Sequence, residues 1–273
     1  KKGASKEKRY DKNIINLGLV VSNENIHLMH TTYAGNKREV EIMSTVVDSL
    51  FSRLKNLSID TKSIVFVFDR GNNSEDNIQN FKDKFHYIGA LSRSQLKDLY
   101  DISMDLFEDI YVNKKENAIK GYSTIEEIYG EKRKIVVTYN EATANNQRKK
   151  FEESIPKIKE KLSLIENSIN NRKQGKKTEM SSLAAKISDF LHKQYRSLFS
   201  WDFNEAEQSF SWEFHEDVYM AKKKTFGKTV LFTDLMDWEA AEIAKTYNSK
   251  SIVEDDFKVL KDRIIIPVKP LYS

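Results

Sequence analysis

Cysteine and long apolar runs are absent from this 273-residue sequence. Without cysteine the chain can form neither disulfides nor thiolate metal sites, a composition that fits a reducing cytosol. No segment approaches the roughly 18 consecutive apolar residues that a membrane-spanning helix needs. The basic N-terminus, 1–10, leads into no apolar core of the kind that export signals have. We therefore expect no export signal and no membrane partner.

A strong excess of charge of one sign is also lacking. The 45 basic and 41 acidic residues give a net charge of +4, which by itself is too small to indicate a nucleic-acid partner. The length is sufficient for one large domain or two small ones with a sizeable core. The histidines share no metal-ligand spacing, and we interpret them as structural: His27, His30, His86, His192 and His215.

The first third of the chain alternates between predicted strands and helices. Two β-rich runs, 13–22 and 26–33, are separated by a short polar stretch and predict an antiparallel hairpin. Apolar residues at helical spacing predict a helix over 40–54. The run IVFVF at 64–68 predicts a strand buried on both faces, and after a further helix a short buried strand follows at 87–91. This order is typical of α/β proteins.

The middle of the chain has a different pattern. Apolar residues from Phe151 to Ile169 step alternately by four and three, which is a heptad seam. We predict an antiparallel helical hairpin over 147–196, and we favour packing of the seam within the hairpin over pairing with another subunit. The basic tip of the hairpin could grip DNA phosphates or be an ordinary solvated loop. Its cationic residues are Arg172, Lys173, Lys176 and Lys177.

The last third mixes both kinds of pattern. Alternating aromatic and apolar residues over 210–220 predict strands broken near 215–217, and the run at 229–233 predicts another strand. Two helices are predicted at 238–246 and 251–262.

Asp69 directly follows the predicted strand at 64–68 and precedes a glycine. Functional groups gather at the carboxyl ends of strands in open α/β sheets, and a carboxylate there can bind Mg²⁺. The alternative is that Asp69 only stabilises its turn, and the residue taken alone favours that alternative.

Glu254 belongs to a second constellation near the C-terminus. Its members are spaced so that they share one face if the segment forms a single helix. The lysines among them could contact a DNA backbone, whereas the alternative is a solvated face with ordinary Glu–Lys pairs. The constellation consists of Tyr247, Lys250, Glu254, Lys258 and Lys261, beside an apolar stripe of Val253, Phe257 and Leu260.

The spacing Tyr247-x2-Lys250-x3-Glu254-x6-Lys261 resembles the Y-x2-R-x3-E-x6-K signature of bacterial insertion-sequence DDE transposases. It departs once, because Lys250 stands where the family has arginine, which keeps the charge but loses the planar fork. The segment FVFDRGNNS at 66–74 resembles the family segment with the second catalytic aspartate. Other similar segments follow in the family's order and cover most of the chain, with the similarity weakest at about 172–227: SKEKRYD (5–11), TYAGN (32–36), YGEKRKIVVTYNE (129–141) and YNSKSIVEDDFKVLKD (247–262).

The resemblance implies an α/β fold of the ribonuclease H-like type, a mixed sheet flanked by helices. It also implies a long insertion between the second aspartate and the glutamate, here with a helical hairpin and β segments. We accordingly expect three parts: 1–120, the first part of the core with its first strand missing; 121–227, the insertion; and 228–273, the C-terminal part of the core with the glutamate-bearing helix.

The chemistry implied by the resemblance is two-metal-ion phosphoryl transfer, which cuts transposon DNA ends and joins them to target DNA. Asp69 and Glu254 are then catalytic metal ligands for two Mg²⁺ or Mn²⁺ ions. The implied DNA-binding residues are Tyr247, Lys250, Lys258, Lys261 and Arg70. Unpaired bases could stack on tryptophans, although core packing is the favoured alternative for each: Trp201, Trp212 and Trp238.

The resemblance further implies double-stranded DNA as partner, a homodimer on paired transposon ends, and a bacterial cytoplasmic protein associated with the nucleoid. In the family a third carboxylate lies on a strand that precedes the hairpin, and we do not find it here. Asp11 is a poor substitute because it follows basic residues in a predicted loop. Two rival hypotheses are a catalytically inactive DNA-binding remnant of a transposase and a ribonuclease H-like nuclease that does not join DNA.

Overall fold

The computed structural model describes residues 13–92, 95–172, 174 and 177–260, with the side chains of Lys97 and Leu260 left out. The chain divides into two compact units. The first unit combines the residues up to Asn113, Ala118–Thr138 and the residues from Thr229 on. The second combines Lys114–Asn117 with Tyr139–Lys228. Residues 121–138, which the sequence assigned to the insertion, therefore lie in the first unit, where they form strands of its main sheet.

The strands and helices of the described residues have the following bounds. The strands are β1 Ile15–Val21, β2 His27–Ala34, β3 Val65–Val67, β4 His86–Leu91, β5 Glu108–Val112, β6 Ala118–Ile128, β7 Glu131–Asn140, β8 Phe199–Asn204, β9 Ser209–Phe214 and β10 Lys228–Thr233. The α-helices are α1 Glu39–Asn56, α2 Glu75–Phe81, α3 Lys97–Tyr100, α4 Glu141–Asn170, α5 Met180–Phe190, α6 Glu216–Lys223, α7 Ala240–Asn248 and α8 Ser251–Leu260.

The first unit begins with the predicted hairpin and helix, and both predictions are confirmed. β1 and β2 pair antiparallel as a two-stranded sheet, with Leu19 opposite His30. Helix α1 buries one face through Met43, Val47 and Leu50, whose spacing of four and three residues is that of an amphipathic helix. Acidic residues in its first turn and basic residues in its last turn suit the helix dipole.

The main sheet of the first unit is mixed and six-stranded, in the order β3-β4-β10-β7-β6-β5. β3 runs parallel to β4, whereas β10 runs antiparallel to it. Helices flank this sheet, so the predicted mixed α/β class is confirmed. One expectation is wrong: β3 is not buried on both faces. Val65, Phe66 and Val67 are only half-buried because β3 is the last strand of the sheet among the described residues.

An aromatic cluster holds the end of β3 against β4. The ring of Phe68 stacks on Phe81 with a centroid distance of 5.3 Å and meets Phe232 edge-on at 6.2 Å. Both Phe68 and Phe232 pack over Gly89 of β4, where an added Cβ would lie 2.6 Å from Phe232 and 2.7 Å from Phe68. The absence of a side chain at Gly89 therefore makes room for these two rings. One of them, Phe68, directly precedes Asp69 in the sequence.

The second unit is built on the predicted helical hairpin, which is confirmed as α4 and α5. The heptad seam of α4 is buried within this unit, against residues of α5 and of the β8–β9 pair. This burial agrees with the favoured alternative of packing within the chain. The seam residues are Phe151, Ile155, Ile158, Leu162, Ile165 and Ile169.

Residues 216–223 correct the sequence prediction of a strand. They form α6, which buries Tyr219. The predicted strand would instead have placed Val218 and Met220 together on one face of a sheet. Acidic residues in the first turn and lysines in the last turn favour this helix through its dipole. Of the residues that the structure describes, no helix combines the length and the apolar character that a membrane span requires.

We predict that Gly89→Ala lowers the free energy of unfolding by about 1–3 kcal/mol, because a methyl group there overpacks the Phe68 and Phe232 rings. Gly71→Ala is the matched control, since the nearest atom to its added Cβ is Glu39 Oε2 at 3.7 Å. The control should stay within about 1 kcal/mol of the wild type in urea denaturation. Equal stability of the two variants would contradict the packing assigned to Gly89.

Candidate active site at the end of strand β3

Asp69 follows β3 and Phe68 and caps a short 3₁₀ turn, Arg70–Asn72. Its Oδ1 accepts a hydrogen bond of 2.8 Å from the backbone N–H of Arg70. The turn-stabilising role that sequence reasoning offered as the alternative is therefore present. The carboxylate nevertheless remains 68% exposed, and its Oδ2 accepts no hydrogen bond from a described residue. Asp69 can thus serve its turn and still present an oxygen to a ligand.

Lys250 reaches the same carboxylate from a distant part of the sequence. Its Nζ donates to Asp69 Oδ1 at 2.9 Å, across a separation of 181 residues. The same Nζ donates to the hydroxyl of Tyr247 at 2.9 Å and lies 4.5 Å from the centroid of that ring. Tyr247 is buried. Three groups therefore fix the ammonium of Lys250 at the end of β3.

The contact between Asp69 and Lys250 lowers the pKa of the carboxyl group and raises the pKa of the ammonium group. Partial burial would raise the pKa of Asp69, but the hydrogen bonds from Lys250 and the Arg70 amide outweigh it and lower the pKa. Partial burial would lower the pKa of Lys250, but its bonds to Tyr247 and Asp69 outweigh it and raise the pKa. Both groups are charged at neutral pH. The stabilisation contributed by Asp69 is lost as the pH falls through its lowered pKa, and that of Lys250 as the pH rises through its raised pKa.

Glu254 is exposed in the first turn of α8 and lines the same groove as Asp69 and Lys250. Val253 and Phe257 of α8 line this groove and are half-buried. His27 Nε2 lies 3.1 Å from Asp256 Oδ2 and ties β2 to α8, a structural use of a histidine. The packing of α8 on the hairpin therefore holds Glu254 near Asp69.

The five-residue constellation does not lie on one helix. The two predicted helices are confirmed as α7 and α8, and the break at Ser249 and Lys250 puts Tyr247 in the former and Glu254 in the latter. Lys250 lies in the connection, which leaves its side chain free to turn towards β3. Lys261 lies outside the described residues.

The groove has a volume of about 320 Å³ and mostly apolar walls. Residues of β1 and β3 line it, and each of these strands has a described partner strand on one edge only. Backbone N–H and C=O groups at the other edge are open to pairing with a further strand. The groove is thus mostly apolar, and the charged residues Asp69, Lys250 and Glu254 also line it.

The remaining predicted DNA contacts are exposed cations. Lys258 pairs with Asp255 at 2.6 Å on the surface of α8, and its side chain is 75% exposed. Arg70 is also exposed, in the turn that Asp69 caps.

The three tryptophans are half-buried and pack against apolar clusters. Trp201 and Trp212 lie opposite each other in β8 and β9 of the second unit, and Trp212 Nε1 donates to Glu166 at 3.1 Å. Trp238 packs on the core of the first unit. These contacts favour the core-packing alternative, and base stacking stays a prediction.

The carboxylates suit a divalent ion in kind but not in number. Aspartate and glutamate oxygens are the ligands that Mg²⁺ prefers. No group of three histidine, cysteine, aspartate or glutamate residues able to hold a metal is found in the described part of the chain. Asp11 lies outside it.

Sequence reasoning missed two features of this site. One is the ion pair between Lys250 and Asp69, for which a single sequence contains no signal because the residues meet only in the folded chain. The other is Glu39, an exposed acidic residue in the first turn of α1 that also lines the groove.

Comparison with known proteins identifies the family. The profile of the family described as Transposase DDE domain matches residues 1–265. Searches of curated proteins and of solved structures give no match. The mixed six-stranded sheet flanked by helices is consistent with the ribonuclease H-like fold. Since the match spans nearly the whole sequence, the chain belongs to the family of DDE transposases.

Proposed function

We propose that this chain is the catalytic domain of an insertion-sequence transposase that cuts transposon ends and joins them to target DNA. The observation that carries the proposal is that Asp69, Lys250 and Glu254 line one groove, with Lys250 bonded to Asp69. Sequence reasoning had selected these residues from two separate motifs. Their proximity is expected of an active site and not of two unrelated surface motifs.

In this proposal Asp69 and Glu254 are ligands for Mg²⁺ or Mn²⁺. Two such ions, when bound, activate the attacking hydroxyl and stabilise the leaving oxygen of the phosphoryl group. The chain's own residues orient the ligands. The Arg70 amide fixes one oxygen of Asp69, and the packing of Val253 and Phe257 holds α8, and with it Glu254, beside the groove.

The cations around these carboxylates would bind the DNA backbone. Arg70 and Lys258 are exposed near Asp69 and Glu254, and exposed cations contribute salt-dependent affinity for phosphates. Lys250 and Tyr247 would hold the transposon end, together with Lys261. We further propose action as a homodimer on paired ends, in the bacterial cytoplasm at the nucleoid, with Trp201, Trp212 or Trp238 as candidates for stacking on an unpaired base.

The third carboxylate would come from a strand that precedes the hairpin in the fold. Such a strand could pair with the free edges of both β1 and β3, which would join the hairpin to the six-stranded sheet. Apolar side chains of that strand would fill the groove, and an aspartate near its end would lie beside Asp69. The half-buried state of Val65, Phe66 and Val67 supports this arrangement, because a further strand would cover them.

A second candidate is a DNA-binding remnant without catalytic activity. It is favoured by the incomplete donor set among the described residues. Assays of cleavage and joining on DNA with transposon ends separate the hypotheses. Cleavage followed by joining supports a transposase, cleavage without joining supports a ribonuclease H-like nuclease, and DNA binding alone supports a remnant.

We predict that Glu254→Gln abolishes DNA cleavage in a protein that also carries the preceding strand, because the amide loses the charge that a divalent ion requires. DNA binding, measured by fluorescence anisotropy, should change little. Asp255→Asn is the matched control, as it removes a charge from the next residue, which pairs with Lys258 instead. Full cleavage by Glu254→Gln would remove this residue from the site.

We predict that Arg70→Ala and Lys258→Ala each weaken DNA binding and reduce the slope of log K against log salt by about 1, the value for one lost phosphate contact. Lys62→Ala is the control, because Lys62 is likewise exposed, at 54%, and ion-paired, to Asp83, but is not among the proposed DNA contacts. An equal loss of slope in all three variants would indicate non-specific attraction.

We predict that the backbone amides on the open edges of β1 and β3 exchange hydrogen rapidly in the 273-residue chain. In a protein that carries the preceding strand, the same amides should be protected by at least about tenfold, because new strand pairing satisfies them. Hydrogen exchange followed by mass spectrometry measures the difference. Unchanged exchange at Val65–Val67 would show that no strand adds to this edge.

A further inference from the structure

We propose that Lys250 is a displaceable counter-ion of Asp69, and that its ammonium weakens the binding of a divalent cation to this carboxylate until it withdraws. The inference rests on the proposed role of Asp69 as a metal ligand. It adds that Lys250 opposes metal binding in the free protein, and that DNA, by attracting Lys250, favours metal binding.

The ammonium group of Lys250 already occupies one oxygen of the Asp69 carboxylate. Lys250 Nζ donates to Asp69 Oδ1 at 2.9 Å, the oxygen that already accepts from the Arg70 amide. A metal ion bound by Asp69 would contact the same carboxylate. Two cations at contact distance from one carboxylate repel each other, so binding of a divalent ion disfavours the ammonium there.

Tyr247 provides the ammonium with a second set of contacts. Its hydroxyl accepts from Nζ at 2.9 Å, and its ring centroid lies 4.5 Å away. Aromatic rings attract cations, and a lysine head group is a compact charge on a flexible stem. Lys250 can therefore leave Asp69 without losing all of its partners, and Tyr247 is a positioning residue for it.

The charges around the pair determine what draws Lys250 away. Arg70 adds a positive charge near Asp69, whereas Glu254 and Glu39 line the same groove with negative charges. A DNA phosphate at the groove offers Lys250 a new anionic partner and leaves Asp69 without its counter-ion. Because coupling between two binding sites is reciprocal, DNA should strengthen metal binding and metal should strengthen DNA binding.

Lysine suits this exchange better than the arginine found at this position in the family signature. An arginine could hold a carboxylate through two parallel hydrogen bonds, which is harder to release. A lysine makes a single point contact with Asp69 Oδ1. The departure from the family pattern is therefore consistent with a counter-ion that exchanges partners.

Mn²⁺ binding to the 273-residue chain without DNA tests the proposal directly. Free Mn²⁺ is measured by electron paramagnetic resonance for the wild type and for Lys250→Met, which keeps the length and packing of the side chain. Lys250→Met should bind Mn²⁺ at least about fivefold more tightly, the lower end of the range for coupled sites. Thermal denaturation confirms that each variant is folded.

Lys62→Met is the matched control, because it removes the same charge from an exposed residue that pairs with Asp83 and does not contact Asp69. Its Mn²⁺ affinity should stay within about twofold of the wild type, since surface charges are screened by salt. Tyr247→Phe should give no gain in Mn²⁺ affinity, because it removes the hydroxyl that holds Lys250 once the ammonium leaves Asp69.

The outcomes separate this inference from the proposed function. If Lys250→Met binds Mn²⁺ no more tightly than Lys62→Met, or binds none, the counter-ion role is wrong. If Asp69→Asn in the Lys250→Met background leaves Mn²⁺ affinity unchanged, Asp69 is not a metal ligand and both proposals fail. A gain in Lys250→Met that Asp69→Asn removes supports both.

Discussion

The packing of Phe68 over Gly89 is the contact on which the geometry of the site depends. It holds Phe68, the residue after β3, against β4, and the Phe68 ring also stacks on Phe81. Asp69 is the next residue, so a buried apolar contact supports the backbone from which its carboxylate projects. Aromatic side chains bury large areas in a fixed geometry, which makes such a cluster a rigid support for an exposed polar group.

Opposite charge then joins this support to the other end of the chain. The Asp69–Lys250 pair links the turn after β3 to the connection between α7 and α8. Burial opposes charge on both groups, yet their mutual hydrogen bond keeps both charged and moves their pKa values apart. The same attraction that joins the two segments is the one that a divalent ion would have to replace in the proposed metal site.

The groove beside the pair relates the fold to the family. β1 and β3 each leave one edge without a described strand partner, and apolar side chains line the space between them. Hydrogen-bonding edges and apolar walls are together complementary to an extended strand. The proposed catalytic set and the proposed complete sheet therefore depend on the same additional strand.

Several features followed from the sequence by itself because they arise from contacts between near neighbours. The hairpin, helix α1 and the heptad seam of α4 are periodic patterns of this kind, and the spacing of Tyr247, Lys250 and Glu254 showed the family resemblance. The helix α6 was missed because a short amphipathic segment can also be read as an alternating strand.

Only the tertiary structure decided which of these residues meet. The break between α7 and α8, the edge position of β3 and the contact of Lys250 with Asp69 depend on packing between segments far apart in sequence. A single sequence records residue types and local spacing but not long-range distances. The sequence by itself thus determined which residues are suited to bind metal and phosphate, and the fold decided that a lysine lies on the aspartate.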